Sequence, residues 1–178
     1  MSNTRTWIYA LVIMFHFVET GRIAVPNFQR GYVWGKEQMR LFISINSGYP
    51  IGTLLAAEAE EDRFQAMPAE RSLFPSPAQV AEDRYRLWLL DGAQRLAALY
   101  NGLFTTREQF GLSDDLRRRE FYFSAQIRSA APLLKMSSLF KSRELMSLRA
   151  GLATETDGEV LLAELNAIRE RFYSFRFL

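Results

Sequence analysis

The stretch from Arg84 to Gly102, RYRLWLLDGAQRLAALYNG, constrains the fold of this chain more than any other. Its first part is β-prone, with Tyr85, Leu87 and Leu89 on one side and Trp88 and Leu90 on the other. A strand that is apolar on both faces has to be covered on both faces, which predicts an interior strand over 84–90. Asp91-Gly92 breaks it, and Ala93 to Asn101 reads as a helix with Leu96, Leu99 and Tyr100 inward and Gly102 as its stop. A covered strand that turns at once into a helix implies a mixed α and β domain rather than a bundle or a sandwich.

The flanking sequence fits that class. A first helix is expected over 6–20, stopped by Gly21, and then a short strand over 22–25 closed by Pro26. An ordered loop over 27–35 leads to a helix over 36–47, whose buried face is expected to be Met39, Phe42, Ile43 and Ile45, and then to a strand over 51–57. Residues 58–82 carry several acids, three prolines and no sustained period, so they read as an excursion loop. A strand over 121–124, helices over 132–149 and 158–172, and a strand beginning at Phe175 complete the chain. Thr156 and Glu159 stand at capping-box spacing before the last helix. The expected organisation is an α/β (α+β) domain over 1–130 with a partial helical extension over 131–178. A chain that stops in mid-element reads as a piece of something longer.

With 178 residues, 48% of them hydrophobic, the chain can bury a core without covalent staples. It has no Cys, which removes disulfides, thiolate metal sites and cysteine nucleophiles and suits a reducing cytoplasm. The only histidine, His16, excludes zinc sites built on several His and is expected to be packed or at a rim. It lies in the apolar run Trp7 to Val18, twelve residues against the roughly twenty that span a bilayer, so a buried helix and no membrane is the expectation. A formal charge of +2 does not by itself imply nucleic acid.

Two segments carry chemistry. At the strand-to-helix corner, the first helix amides lack internal partners and face a phosphate with the positive end of the dipole. Gly92 would let a ligand approach the backbone, and Arg95 would add a cation with fork geometry. Gln94 would orient a water or a ribose hydroxyl, and Asp91 would hold Mg2+ or its water. An Asp-Gly pair before a helix is also an ordinary cap and turn. The second segment is Pro26-Asn27-Phe28-Gln29-Arg30-Gly31-Tyr32-Val33-Trp34. A nucleobase could stack on Tyr32 or Trp34 while Gln29 and Arg30 meet its polar edge or the phosphates; alternatively both aromatics cap the core and Arg30 pairs with an acid.

Taken in order, VPNFQRGYVW, a helix, GYPIGTLL and LLDGAQRLAALYNG resemble the N-terminal domain of GmrSD-type restriction endonucleases, a family once defined by a DGQQR motif. The resemblance is strongest over 21–102. It implies a ParB/sulfiredoxin-like mixed-sheet fold and NTP binding coupled to DNA cleavage in modification-dependent phage defence, with Mg2+ as metal. On the matching positions it implies Asp91, Gln94 and Arg95 as catalytic residues and Asp91 as metal ligand. The nucleotide would be held by Gln29, Arg30, Tyr32, Trp34, Gly92, Ala93 and Arg95. Family members carry an HNH-type nuclease, and a chain with one His cannot hold that site, so a separate domain or chain is expected to cut.

Ala93 stands where the motif usually has Gln, which weakens the expectation of hydrolysis relative to binding. Two other readings remain open: a non-catalytic DNA-sensing module, in which the run Arg117-Arg118-Arg119 contacts phosphates or is simply solvated, and an inactive truncated remnant.

Overall fold

The computed structural model describes residues 8–76, 85–104, 111–123, 126 and 132–177. The chain forms two compact units, and neither is a continuous stretch: residues 1–34, 50–97 and 173–178 make the first, and 35–49 and 98–172 the second. No helix among the described residues is long and apolar enough to cross a membrane.

The first unit is organised by β4 (Tyr85–Asp91), the interior strand that its two apolar faces predict. It lies between β2 (Ile23–Ala24), which is parallel to it, and β3 (Leu55–Glu60), which is antiparallel. Trp88 and Leu89, at 1% exposure each, face opposite sides of the sheet, as side-chain alternation requires. β3 starts four residues later than expected and takes in Glu58 and Glu60. The reason is local: Gly48 and Gly52 hold positive φ, so the chain before Leu55 is a loop, while the alternation Ala57-Glu58-Ala59-Glu60 turns both acids to the exposed side. The excursion after β3 is not a free loop either. It returns as a strap, where the Met67 amide donates to the Val25 carbonyl and the Asn27 amide to that of Gln65. Pro26 bridges to Ala66, and a 3-10 turn follows at Ala69–Arg71. The part of the excursion expected over 77–82 lies outside the described residues.

At its start, β1 (Tyr9–Ala10) pairs antiparallel with β8 (Arg176–Phe177), so the strand expected near Phe175 is present. The first helix, α1 (Leu11–Glu19), is shorter than expected, and its predicted beginning at Thr6 and Trp7 lies outside the described residues. It buries Leu11, Met14, Phe15 and Val18 at helical spacing and leaves Val12 and Ile13 44% exposed. The run Trp7 to Val18 is thus buried along one stripe only, and His16 sits on the exposed side. Gly21, at φ +69, ends the helix in the left-handed conformation that suits glycine.

In the second unit, α2 (Lys36–Asn46) buries Gln38, Leu41, Phe42 and Ile45. Ile43, expected inward, is 45% exposed, because the i, i+3, i+4, i+7 stripe starts at Gln38 and excludes it. The buried Gln38 amide is satisfied by the Ala98 carbonyl at 3.1 Å. Phe42 packs edge-on to Phe121 and against Phe172. α3 (Ala93–Leu103) continues one residue past Gly102. That glycine is a packing residue rather than a stop: a Cβ there would lie 2.5 Å from the Phe42 ring.

The unit also contains a second sheet, ordered β6-β5-β7, with β5 (Leu112–Asp115) central between β6 (Glu120–Phe123) and β7 (Leu133–Lys135). β5, Leu-Ser-Asp-Asp, has little β propensity and was not anticipated. The helix expected over 132–149 begins as β7 and a 3-10 turn, Met136–Ser138, and becomes helical only in α4 (Ser142–Leu152). Leu134 and Met136 are fully buried while Lys135 between them is exposed, and this period of two, not 3.6, decides the segment. α5 (Gly158–Ser174) closes the unit with Leu161, Leu165, Ile168 and Phe172 inward.

Candidate functional site

The corner forms where β4 runs into α3. Gly92 has φ +84, and a Cβ built on it would lie 2.4 Å from Leu54 Cδ2 and 3.0 Å from Arg95 Nη2. Only glycine fits both that backbone and that space. The Leu96 amide donates to the Gly92 carbonyl at 3.0 Å, the first bond of the helix. Asp91, the last residue of β4, keeps its side chain 70% exposed.

Arg95 lies one turn on. Its Nη2 donates to the Thr53 carbonyl at 2.6 Å and to Asp91 Oδ2 at 3.1 Å. Gly52, at φ +85, comes so close that a Cβ there would touch Arg95 Nη1 at 3.4 Å. The guanidinium is therefore wrapped by the loop before β3, and its buried Nε has no partner among the described residues. Ala93 is buried at 3% exposure, so the position usually held by Gln faces the interior here.

Gln94 works differently. Its Nε2 donates to the Arg30 carbonyl at 3.2 Å and the Gly31 carbonyl at 3.1 Å. Its Oε1 accepts from the Val33 amide at 3.3 Å. One side-chain amide thus engages both kinds of backbone group on the Pro26–Trp34 loop. Gln29 answers from the loop, donating to the Leu90 carbonyl of β4 at 2.8 Å. The two motif segments singled out in the sequence, far apart along the chain, are joined by two glutamines whose hydrogen bonds go to backbone.

The structure brings together all the sequence-predicted residues: Asp91, Gly92, Ala93, Gln94 and Arg95 at the corner, and Gln29, Arg30, Tyr32 and Trp34 on the loop held against it. Tyr32 and Trp34 are half-buried. Arg30 is exposed and, among the described residues, makes no ion pair, so the sequence alternative that pairs it with an acid does not hold there. The peptides are trans, so the Arg30 and Gly31 carbonyls that face Gln94 turn the next amides, beginning with Gly31 N–H, away from it. Sequence reasoning did not single out Gly52 and Thr53, although the GYPIGTLL block contains them, nor Arg71, which lies in an excursion with no period. Among the described residues no three His, Asp or Glu side chains gather as a metal site.

The basic run is partly engaged by carboxylates, while Arg118 and Arg119 keep their side chains 68% and 64% exposed. It forms the turn between β5 and β6, with Arg119 at φ +58. Arg117 bonds Asp157 at 2.8 Å and Glu155 at 2.7 Å, and Arg119 pairs with Glu164 at 3.1 Å. Asp157 and Glu155 hold the Arg117 guanidinium well above its ordinary range, and Arg117 in turn lowers Asp157. Carboxylates of the same unit lie beside all three arginines, with Asp115 4.0 Å from Arg118.

No curated protein sequence matches the chain. The family profile described as GmrSD restriction endonuclease, N-terminal domain, matches residues 14–173, which runs from within α1 to nearly the end of α5 and includes the corner, the clamped loop and the second sheet. With the two motif segments joined as described, the chain belongs to the GmrSD restriction endonuclease N-terminal domain family.

Proposed function

We propose that this domain is the nucleotide-binding, regulatory part of a modification-dependent restriction system, and that an HNH-type nuclease domain or chain does the cutting. The carrying observation is Arg30: an exposed cation without an ion pair among the described residues, on a loop fixed by Gln29 and Gln94 beside the start of a helix. A triphosphate needs a cation of this kind held in place, together with unengaged backbone N–H groups.

The residues present fit such a ligand in a specific way. Arg30 and the outward Gly31 amide are the phosphate contacts. Tyr32 and Trp34 offer ring surface for a base. Arg95, already bonded to Thr53 and Asp91, shapes the corner and orients Asp91. Gln94 positions the loop rather than a water. Mg2+, which would screen the phosphate charge, fits at one point, the exposed Asp91 carboxylate, with the remaining ligands coming from phosphate and water. Because Ala93 is buried and carries no polar group, binding is the primary activity and hydrolysis the one to be tested.

Calorimetry with each of the four NTPs and Mg2+, paired with phosphate release, tests this reading. Arg30→Ala should weaken binding roughly 10- to 100-fold, the loss of one charge-assisted contact. Equal affinity in wild type and Arg30→Ala would remove the phosphate site from the loop. Binding without release would make the domain a nucleotide-gated sensor, and no binding of any NTP would overturn the proposal.

A further inference from the structure

The Pro26–Trp34 loop is held from a second direction by a residue outside both motif segments. Arg71 Nη2 donates to the Gln29 carbonyl at 2.7 Å and, more distantly, to the Asn27 carbonyl at 3.4 Å. Arg71 closes the 3-10 turn of the strap that follows β3. Acids are plentiful just before it, from Glu58 to Asp62, yet the guanidinium makes no ion pair among the described residues and grips two neutral carbonyls. A cation aimed at carbonyls fixes geometry, because its fork sets the direction of both bonds.

The strap is well placed for this. On one side Phe64 packs on Trp88, with ring centroids 5.4 Å apart, and edge-on to Phe28 of the loop. On the other, Leu73 is buried at 3% exposure. Between these anchors the Asn27 amide donates to the Gln65 carbonyl at 2.8 Å, and Asn27 Nδ2 donates to Gln65 Oε1 at 2.6 Å. A Cβ on Gly31 would lie 3.4 Å from the Arg71 carbonyl, so the strap backbone lies against the loop with room for about one methyl group. The carbonyls of Asn27, Gln29, Arg30 and Gly31 are thus all engaged by Arg71 or Gln94.

We propose that Arg71 is a positioning residue of the ligand loop, and that the strap Gln65–Arg71 sets the loop conformation in which Arg30 meets its anionic ligand. The ligand half of this inference rests on the nucleotide reading above; the positioning half does not.

The experiment has one arm for each half. Hydrogen exchange on the ligand-free domain follows the Asn27, Gln29 and Val33 amides, each bonded in the loop. Arg71→Ala should speed their exchange tenfold or more while the global unfolding midpoint moves little, and Arg71→Lys, which keeps a cationic donor but not the fork, should restore part of the protection. Calorimetry with MgATP and MgGTP should show affinity falling severalfold in Arg71→Ala and following loop protection across the three proteins. Unchanged exchange overturns the strap's role whatever the nucleotide result. Faster exchange with unchanged affinity overturns positioning for the ligand. Affinity kept in Arg71→Lys without loop protection would show that charge, not position, matters, and would also overturn it. A wild type that binds no nucleotide defeats the nucleotide reading and the ligand half, while the exchange arm still decides whether the strap holds the loop.

Discussion

The corner of the first unit and the central strand of the second bury polar groups by opposite means. At the corner, Gln29 reaches the Leu90 carbonyl, Gln94 engages three backbone groups, and Arg95 holds Thr53 and Asp91; the Arg95 Nε is the exception. In β5, Ser113 Oγ and both Asp114 oxygens have no partner among the described residues, although both residues are wholly buried. Only Asp115 is served, accepting the Arg117 and Arg118 amides of the turn. Neutral amides aimed at carbonyls specify a geometry, which is what a ligand loop requires. A carboxyl without donors has another way to avoid the cost of a buried charge, which is to keep its proton. Burial, with smaller contributions from the charges of Glu164 and Asp115, pushes Asp114 up to about 7.

The largest effect should come from spoiling the corner's geometry. Gly92→Ala adds an unfavourable φ and a methyl overlapping Leu54 and Arg95, and should destabilise the domain by roughly 3–5 kcal/mol in urea unfolding. A loss under 1 kcal/mol would mean that the corner yields easily and that the contrast with β5 is overdrawn.

Next comes Asp114, where the dependence on pH has a definite sign. Its folded value lies above the ordinary 3.8 of the unfolded chain. Well below pH 4 both states are protonated and stability is at its full value. As pH rises toward about 7 the unfolded chain gives up this proton and the folded one does not, so stability falls; above about 7 both release it and the loss levels off. Asp114→Asn lacks this slope. The stability of wild type relative to that variant should fall by roughly 3–4 kcal/mol between pH 4 and 7. A difference independent of pH would place a cation or water on Asp114 and bring β5 closer to the corner's way of burying polar groups.

The smallest effect should be that of Arg117→Ala. Its pairs with Glu155 and Asp157 are partly exposed, so the unfolding midpoint should drop slightly at low salt and hardly at all in concentrated salt. A large loss that persists in salt would make the turn a structural centre of the second unit.

The parts that were legible in the sequence are those where one local signal decides the outcome. Apolar residues on both faces gave the interior strand β4, and Asp91-Gly92 gave the corner. Gly21 marked the end of α1, and the helix expected over 158–172 is α5. The joining of the two motif segments was not legible from spacing, since Gln29 and Gln94 bond backbone that lies more than sixty residues away and is brought near by the pairing of β2 with β4. β5 was illegible because Ser113, Asp114 and Asp115 look like turn residues; what makes them a strand is pairing with β6 and β7. Arg71 was illegible for a related reason: its function depends on carbonyls, and carbonyls leave no trace in sequence.

The pairing of β1 with β8 has a consequence for the order of events during synthesis. Tyr9 lies opposite Phe177, so a piece of the first unit is joined by residues separated by nearly the whole chain. Closing so long a loop costs only slightly more than closing one half its length, but it cannot happen before residue 177 has emerged from the ribosome. The residues of the second unit emerge earlier, 98–172 as one stretch, with α2 already made. At ordinary elongation rates of about 5–20 residues per second this leaves a window of seconds in which the corner and its loop exist without the β1–β8 seal. Residues 176 and 177, made after the rest of the first unit, are therefore the ones that complete the unit carrying the candidate site.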